Sequence, residues 1–309
     1  MSQHAVRIAR DHCLAPERVD APIYGGRYRS LFPELPALEV DEAALHALGR
    51  PGGPCDLGID FPDDADAHVA AVWPFFGQFV AHDVTADRSP VTHRADADRI
   101  RNSRNDVHLF TSQMAVAFIK LHNRLVDRLR EDGIAEDVLF EDARRAATWH
   151  YQHVIVREFL PSLIGAQLTT DLLEGGPRLY RIDRDPYIPF EFADAAYRYG
   201  HSQIRARYQV NARFGPLPVF PDLMGFGRVS PERMVDWTLQ IDVPGHPAAQ
   251  RAKRIDSRLP PALIALPTQA PARSRAPTTR LWPTVTCSAA KPWAWPPARP
   301  SPATSSCRR

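Results

Sequence analysis

Gln78 and His82 stand four residues apart in the run Trp73-Pro-Phe-Phe-Gly-Gln-Phe-Val-Ala-His-Asp83. On a helix that spacing puts both side chains on one face, with Asp83 on the next. A second histidine, His201, lies far downstream in Tyr197-Arg-Tyr-Gly-His201. An imidazole with a pKa near neutrality takes up and releases protons, and its free nitrogen ligates metals. Two histidines on separate helical segments, with arginines near each, could grip the two faces of a haem. His82, Asp83 and His201 would also suit a non-haem iron centre. Against both stands a plainer reading: a lone histidine is more often a hydrogen-bonded core or surface residue.

Such side chains need rigid elements to hold them. Residues 110–132 carry Met114, Phe118, Leu121, Leu125 and Leu129 at helical spacing, and Thr111 or Ser112 can cap the start. Residues 139–159 carry Phe140, Ala147, Tyr151, Val154 and Ile155, with Pro161 expected to end the helix. Residues 191–208 are predicted as a third helix, and Glu42 to Leu48 as a short one. No alternating strand pattern competes, so the fold class expected is mainly α with long irregular connections. Residues 1–70, rich in Pro, Gly and Asp, read as an irregular N-terminal arm, 71–268 as the helical domain, and 269–309 as a separate tail.

The chain has 309 residues, of which 44% are hydrophobic, enough for a substantial core. A formal net charge of +2 gives no argument for nucleic acid or an anionic membrane. No apolar run is long enough to span a bilayer. The start, from Met1 to His12, lacks the apolar core of a secretory signal. Cys13, Cys55, Cys287 and Cys307 are too scattered for a metal pair or a disulfide framework, and a thiol-reduced, cytoplasmic protein is the default expectation.

The tail departs from the rest. From Pro271 to Arg309 there is no Asp or Glu, while seven Lys/Arg and eight Pro occur. Prolines at that density deny a helix. A disordered basic segment fits, although Trp282, Trp293 and Trp295 suit disorder poorly. A GC-rich gene translated out of frame has the same look.

Five words in order carry a family resemblance: Gly77-Gln-Phe-Val-Ala-His-Asp83, Arg104-Asn-Asp, His122-Asn-Arg-Leu125, Arg157-Glu-Phe-Leu-Pro161 and Tyr197-Arg-Tyr-Gly-His201. Together they resemble the animal-type haem peroxidase superfamily, particularly its bacterial members, over residues 30 to about 268. The resemblance implies a helical haem-binding fold in which His82 is the distal base and Gln78 its neighbour over the peroxide. It makes Arg104 the distal arginine, His201 the axial iron ligand and Arg198 the partner of a haem propionate. Asp83 matches a calcium ligand. His122 belongs to a family word but reads as structural. The implied activity is reduction of hydrogen peroxide with oxidation of a small organic donor or halide.

Three departures qualify that expectation. Ala81 and Val107 stand where some members form ester links to haem, and His108 where a sulfur link can occur, so non-covalent haem b is expected. Only residues 84–103 separate Asp83 from Arg104, without the family's calcium loop; Asp87, Asp96 and Asp98 sit among arginines. Asn102-Ser103-Arg104 looks like two distant family segments joined. Finally, Arg280 to Trp295, back-translated with GC-rich codons and read one base out of phase, resembles the family's next word, which implies a frameshift near residues 270–280. The nucleotide sequence decides this; codons incompatible with that reading would end it. Two other outcomes stay open: a degenerate, non-catalytic homologue, and a fatty-acid oxygenase of the same fold, for which Tyr197, Tyr199 and Tyr208 are the tyrosines flanking His201.

Overall fold

The computed structural model describes residues 28–36, 39–58, 66–84, 107–180, 187–225, 228–266 and 280–281. In chain order the helices are α1 (Glu42–Gly49), α2 (Val72–Val84), α3 (Leu109–Glu131), α4 (Glu136–Val154), α5 (Leu160–Ile164), α6 (Ala166–Gly175) and α7 (Pro261–Ile264). The strands are β1 (Tyr28–Arg29), β2 (Asp66–Ala70), β3 (Ile188–Pro189), β4 (Arg207–Tyr208), β5 (Leu217–Pro218), β6 (Arg251–Lys253), β7 (Ala265–Leu266) and β8 (Arg280–Leu281). They form only two-stranded ladders: β1 with β3, β2 with β6, β4 with β5, and β7 with β8. The mainly α expectation is met.

The chain divides into two compact units, one of residues 1–57, 179–199 and 263–309, the other of 58–178 and 200–262. In the first, α1 is capped by Asp41, whose carboxylate accepts from the Ala43 N–H at 2.9 Å. The parallel pair β1–β3 is tied beside Glu191, whose two carboxylate oxygens accept from the Leu31 N–H at 3.1 and 3.0 Å. From the tail only Arg280–Leu281 is described, in the antiparallel pair with Ala265–Leu266.

The second unit holds an aromatic core. Helix α2 starts at Val72, and Pro74 sits in its first turn, where a missing N–H costs nothing. Phe75, 2% exposed, meets Phe110 at 4.5 Å, His108 at 4.9 Å and Tyr208 at 5.1 Å between ring centroids. Phe76 and Trp73 close on Phe159 at 5.4 and 5.9 Å. The next turn continues outward, with Phe79 stacked on Phe118 at 5.8 Å and edge-on to Tyr151 at 6.1 Å. Helices α3 and α4 pair along their length behind this layer.

Three local expectations are corrected. Helix α3 begins before Thr111: His108 is its cap, its Nδ1 accepting from the Phe110 N–H at 3.4 Å. Thr111 and Ser112 instead donate their hydroxyls back to the carbonyls of His108 and Leu109. The start is set by tertiary pairing, because the Leu109 N–H donates to Leu223 and His108 bridges Met224. Pro161 does not end its helix. A π turn at Ile155–Phe159 joins α4 to α5, so the missing N–H and the ring fall where the wider turn leaves room. Third, residues 191–208 are not one α-helix. They form a π turn at Glu191–Ala195 and a 3-10 helix at Ala196–Gln203, before Arg207 enters β4.

Candidate functional site

Gln78 and His82 fall on α2 as the spacing requires, one turn apart. Gln78 is half-buried; His82 is 5% exposed in the last turn. Asp83, the next residue, faces solvent. Apolar Val72, Phe75, Phe76 and Val80 bury the remaining surface of the helix and so fix its rotation about its axis. Downstream in the same unit, His201 is half-buried near the end of the 3-10 segment, followed by buried Ser202 and Gln203. The Ser202 hydroxyl accepts from the Asp256 N–H at 3.3 Å, which ties the chain just after His201 to the loop beyond β6.

Arg198 belongs to the other unit and is half-buried. It lies between Tyr197 and Tyr199, whose rings meet edge-on at 6.4 Å. Burial first, and then the neighbouring Tyr199, pushes the Tyr197 hydroxyl well above the usual phenol range; burial alone pushes Tyr199 up to about 12. Both phenols are therefore neutral at any working pH. Arg104 lies outside the described residues, as does most of the short segment between Asp83 and Arg104.

Haem needs an imidazole nitrogen with room for a flat ring beside it. Gly200 provides a direct observation, because apart from its chain neighbours and its own helix backbone no described atom comes within 4 Å of where a Cβ would stand. An open glycine next to a half-buried histidine, together with a second, buried histidine on α2, fits such a group. The donor set for other metals is poor. Among the described residues no cluster of three or more His, Cys, Asp or Glu is placed to hold an ion. Among the described residues no carboxylates gather with Asp83 to hold calcium, Asp87, Asp96 and Asp98 lying outside them, and His82, Asp83 and His201 do not assemble as a non-haem iron centre. Ala81 and Val107 are both half-buried and carry no group able to form an ester.

His108, which the resemblance marked only as the place where a sulfur link to haem can occur, is held instead in the aromatic core. It is 3% exposed, stacked on Phe75 and Phe110, with Phe220 edge-on at 5.9 Å. Burial pushes its pKa down to about 4, and the Val219 backbone only partly opposes this. It is a neutral core residue and a helix cap. A histidine four residues ahead of Ser112, immediately before an apolar pair, was the available signal. His122 is structural as expected: its Nε2 lies 3.4 Å from the Phe140 carbonyl and its ring meets Phe140 at 5.0 Å.

A family model described as animal haem peroxidase matches residues 92–217, a span that contains Arg104, Arg198 and His201 and stops short of His82. The chain is 30% identical over 163 residues to a chorion peroxidase of Drosophila melanogaster, covering 50% of this chain and 19% of that protein. It is 31% identical over 109 residues to heme peroxidase 2 of Caenorhabditis elegans, 33% of this chain and 15% of the relative. With peroxidasin of Drosophila melanogaster it shares 31% over 111 residues, 34% and 7% of the two chains. It thus spans less than a fifth of each of these relatives. The helical architecture and the ordered words along the chain agree with these matches, and all of them point to the animal-type haem peroxidase superfamily.

Proposed function

We propose that this chain is a haem-dependent peroxidase that reduces hydrogen peroxide and oxidises a small organic donor or halide. The observation that carries the reading is His82, 5% exposed on α2 one turn beyond Gln78. A buried histidine in that position is shielded from bulk water, and an imidazole is the side chain suited to take up and return a proton. His201 would ligate the iron, and Arg198 would pair with a propionate. When bound, haem supplies the oxidising equivalents and an open coordination position.

The chain's own residues supply proton transfer and electrostatics. His82 takes the proton from one peroxide oxygen and returns it to the other as the O–O bond breaks. Arg104 stabilises the negative charge that develops on the departing oxygen, and a guanidinium holds its charge at any working pH. The Gln78 amide orients the peroxide. With alanine at 81 and valine at 107, the haem is held without covalent links, so acid-acetone extraction should leave the polypeptide colourless. Haem retained on the chain would overturn that point.

The test is haemin titration of the purified protein and of two variants. The native chain should give a sharp Soret band that His201→Ala loses. His82→Ala should keep the band but react with peroxide about 100-fold more slowly or worse. A broad, free-haemin-like spectrum in native and variant proteins alike would leave a peroxidase by descent only. Turnover of a fatty acid with oxygen, in place of peroxide-dependent dye oxidation, would move the chain to the oxygenase branch.

A further inference from the structure

The chain after His201 is tied twice to β6 and the loop that follows it. The buried guanidinium of Arg205 donates to the carbonyls of Arg251 and Ala252 on that strand. Strand β6 pairs in turn with β2, which runs through Ala71 into α2 and so toward His82. One strand therefore backs both histidine-bearing segments. The second tie is the Ser202 hydroxyl, which accepts from the Asp256 N–H at 3.3 Å. Ser202 is buried, but residues 254–258 are all exposed. An exposed loop with few buried contacts opens readily and by itself makes a poor anchor. Lys253 changes that. It is 1% exposed, and its ammonium donates to the Asp256 Oδ2 at 2.5 Å, while the Asp256 Oδ1 accepts from the Arg258 N–H at 2.8 Å. Both carboxylate oxygens of Asp256 are thus engaged, and the loop is closed from inside. Burying an ammonium is unfavourable, and an apolar chain of similar length would fill the space more readily. What the charge contributes is its hold on Asp256.

We propose that Lys253 is a positioning residue for His201, acting through Asp256 and Ser202. The ammonium fixes the Asp256 carboxylate, the fixed loop presents its N–H to Ser202, and Ser202 holds the last turn of the 3-10 segment, in which His201 stands. Groups that hold a ligating histidine from behind set its orientation and alter the affinity for what it binds. That His201 ligates haem iron rests on the function proposed above. The clamp on the histidine does not, so the two can be tested apart.

The experiment compares the native full chain with Lys253→Met, Ser202→Ala and the double variant. Lys253→Met keeps an unbranched apolar chain in the buried space, and the Asp256 carboxylate it releases is 37% exposed and can return to water. Without haemin, amide hydrogen exchange of residues 200–206 should quicken about tenfold in either single variant, with exchange in α3 unchanged. With haemin, both single variants should bind it about tenfold more weakly than the native chain and give a broader Soret band. Because the two residues act through one link, the double variant should be no worse than Ser202→Ala alone. Native exchange at residues 200–206 in either single variant would overturn the proposal. So would effects of the two substitutions that simply add. Faster exchange at 200–206 in the variants, with no Soret band even in the native chain, would uphold the clamp and dismiss the haem reading.

Discussion

The two ends of α3 live in different surroundings. At the front, Leu109, Phe110, Thr111 and Met114 are buried in the aromatic core with Phe75 and Tyr208. Beyond Met114 no residue of the helix is fully buried, and Ile119 is 56% exposed. The partner helix α4 repeats the contrast: Leu139 and Ala143 are buried, yet Phe140 and Trp149 are 62% and 63% exposed. The apolar period is equally regular at both ends. A period sets which residues share a helix face, and tertiary neighbours decide whether that face is covered.

This contrast can be broken from the buried end first. Phe75→Ala removes the ring that meets His108, Phe110 and Tyr208 and should cost about 3–5 kcal/mol in urea unfolding, enough to unfold a marginal domain. A loss under about 1 kcal/mol would mean that the front of α3 is no better packed than the back. Acid acts next. His108 stays neutral in the folded state down to about 4, while the unfolded chain binds its proton near 6.5. Its contribution is therefore complete above about pH 6.5 and lost as pH falls toward 4, on the order of 3 kcal/mol in all. His108→Asn keeps a capping side chain, and it should flatten the stability slope between those pH values. An unchanged slope would remove His108 from the buried set. The smallest effect belongs at the exposed end: Phe140→Ser should change stability by less than about 1 kcal/mol and raise solubility. A cost above about 3 kcal/mol would show that another element covers this face in solution.

The same contrast explains what could be read in advance. The two long amphipathic segments, α3 and α4, and the pairing of Gln78 with His82 on one helix face follow from spacing alone, because they need only local geometry. The start of α3 was misplaced because its cap is a histidine held by Leu223 and Met224, more than a hundred residues away in sequence. Phe140 falls on the apolar period of its helix, but its exposure depends on elements elsewhere in the fold. Residues 191–208 have helical composition, yet the turn there is first too wide and then too tight for an α-helix.

The π turn before Pro161 has a consequence for how this part of the chain tolerates change. One extra residue in a helical turn rotates everything beyond it by about 100° about the axis. The rotation brings the Ser162 carbonyl round to His68. Helices α4 and α5 are thus one rod cut and re-set in phase. Deleting a single residue between Ile155 and Phe159 would restore an unbroken helix, but it would also turn Ser162 and Leu163 away from β2. A change of that kind alters orientation without altering composition, so a substitution scan of the same five positions would miss it.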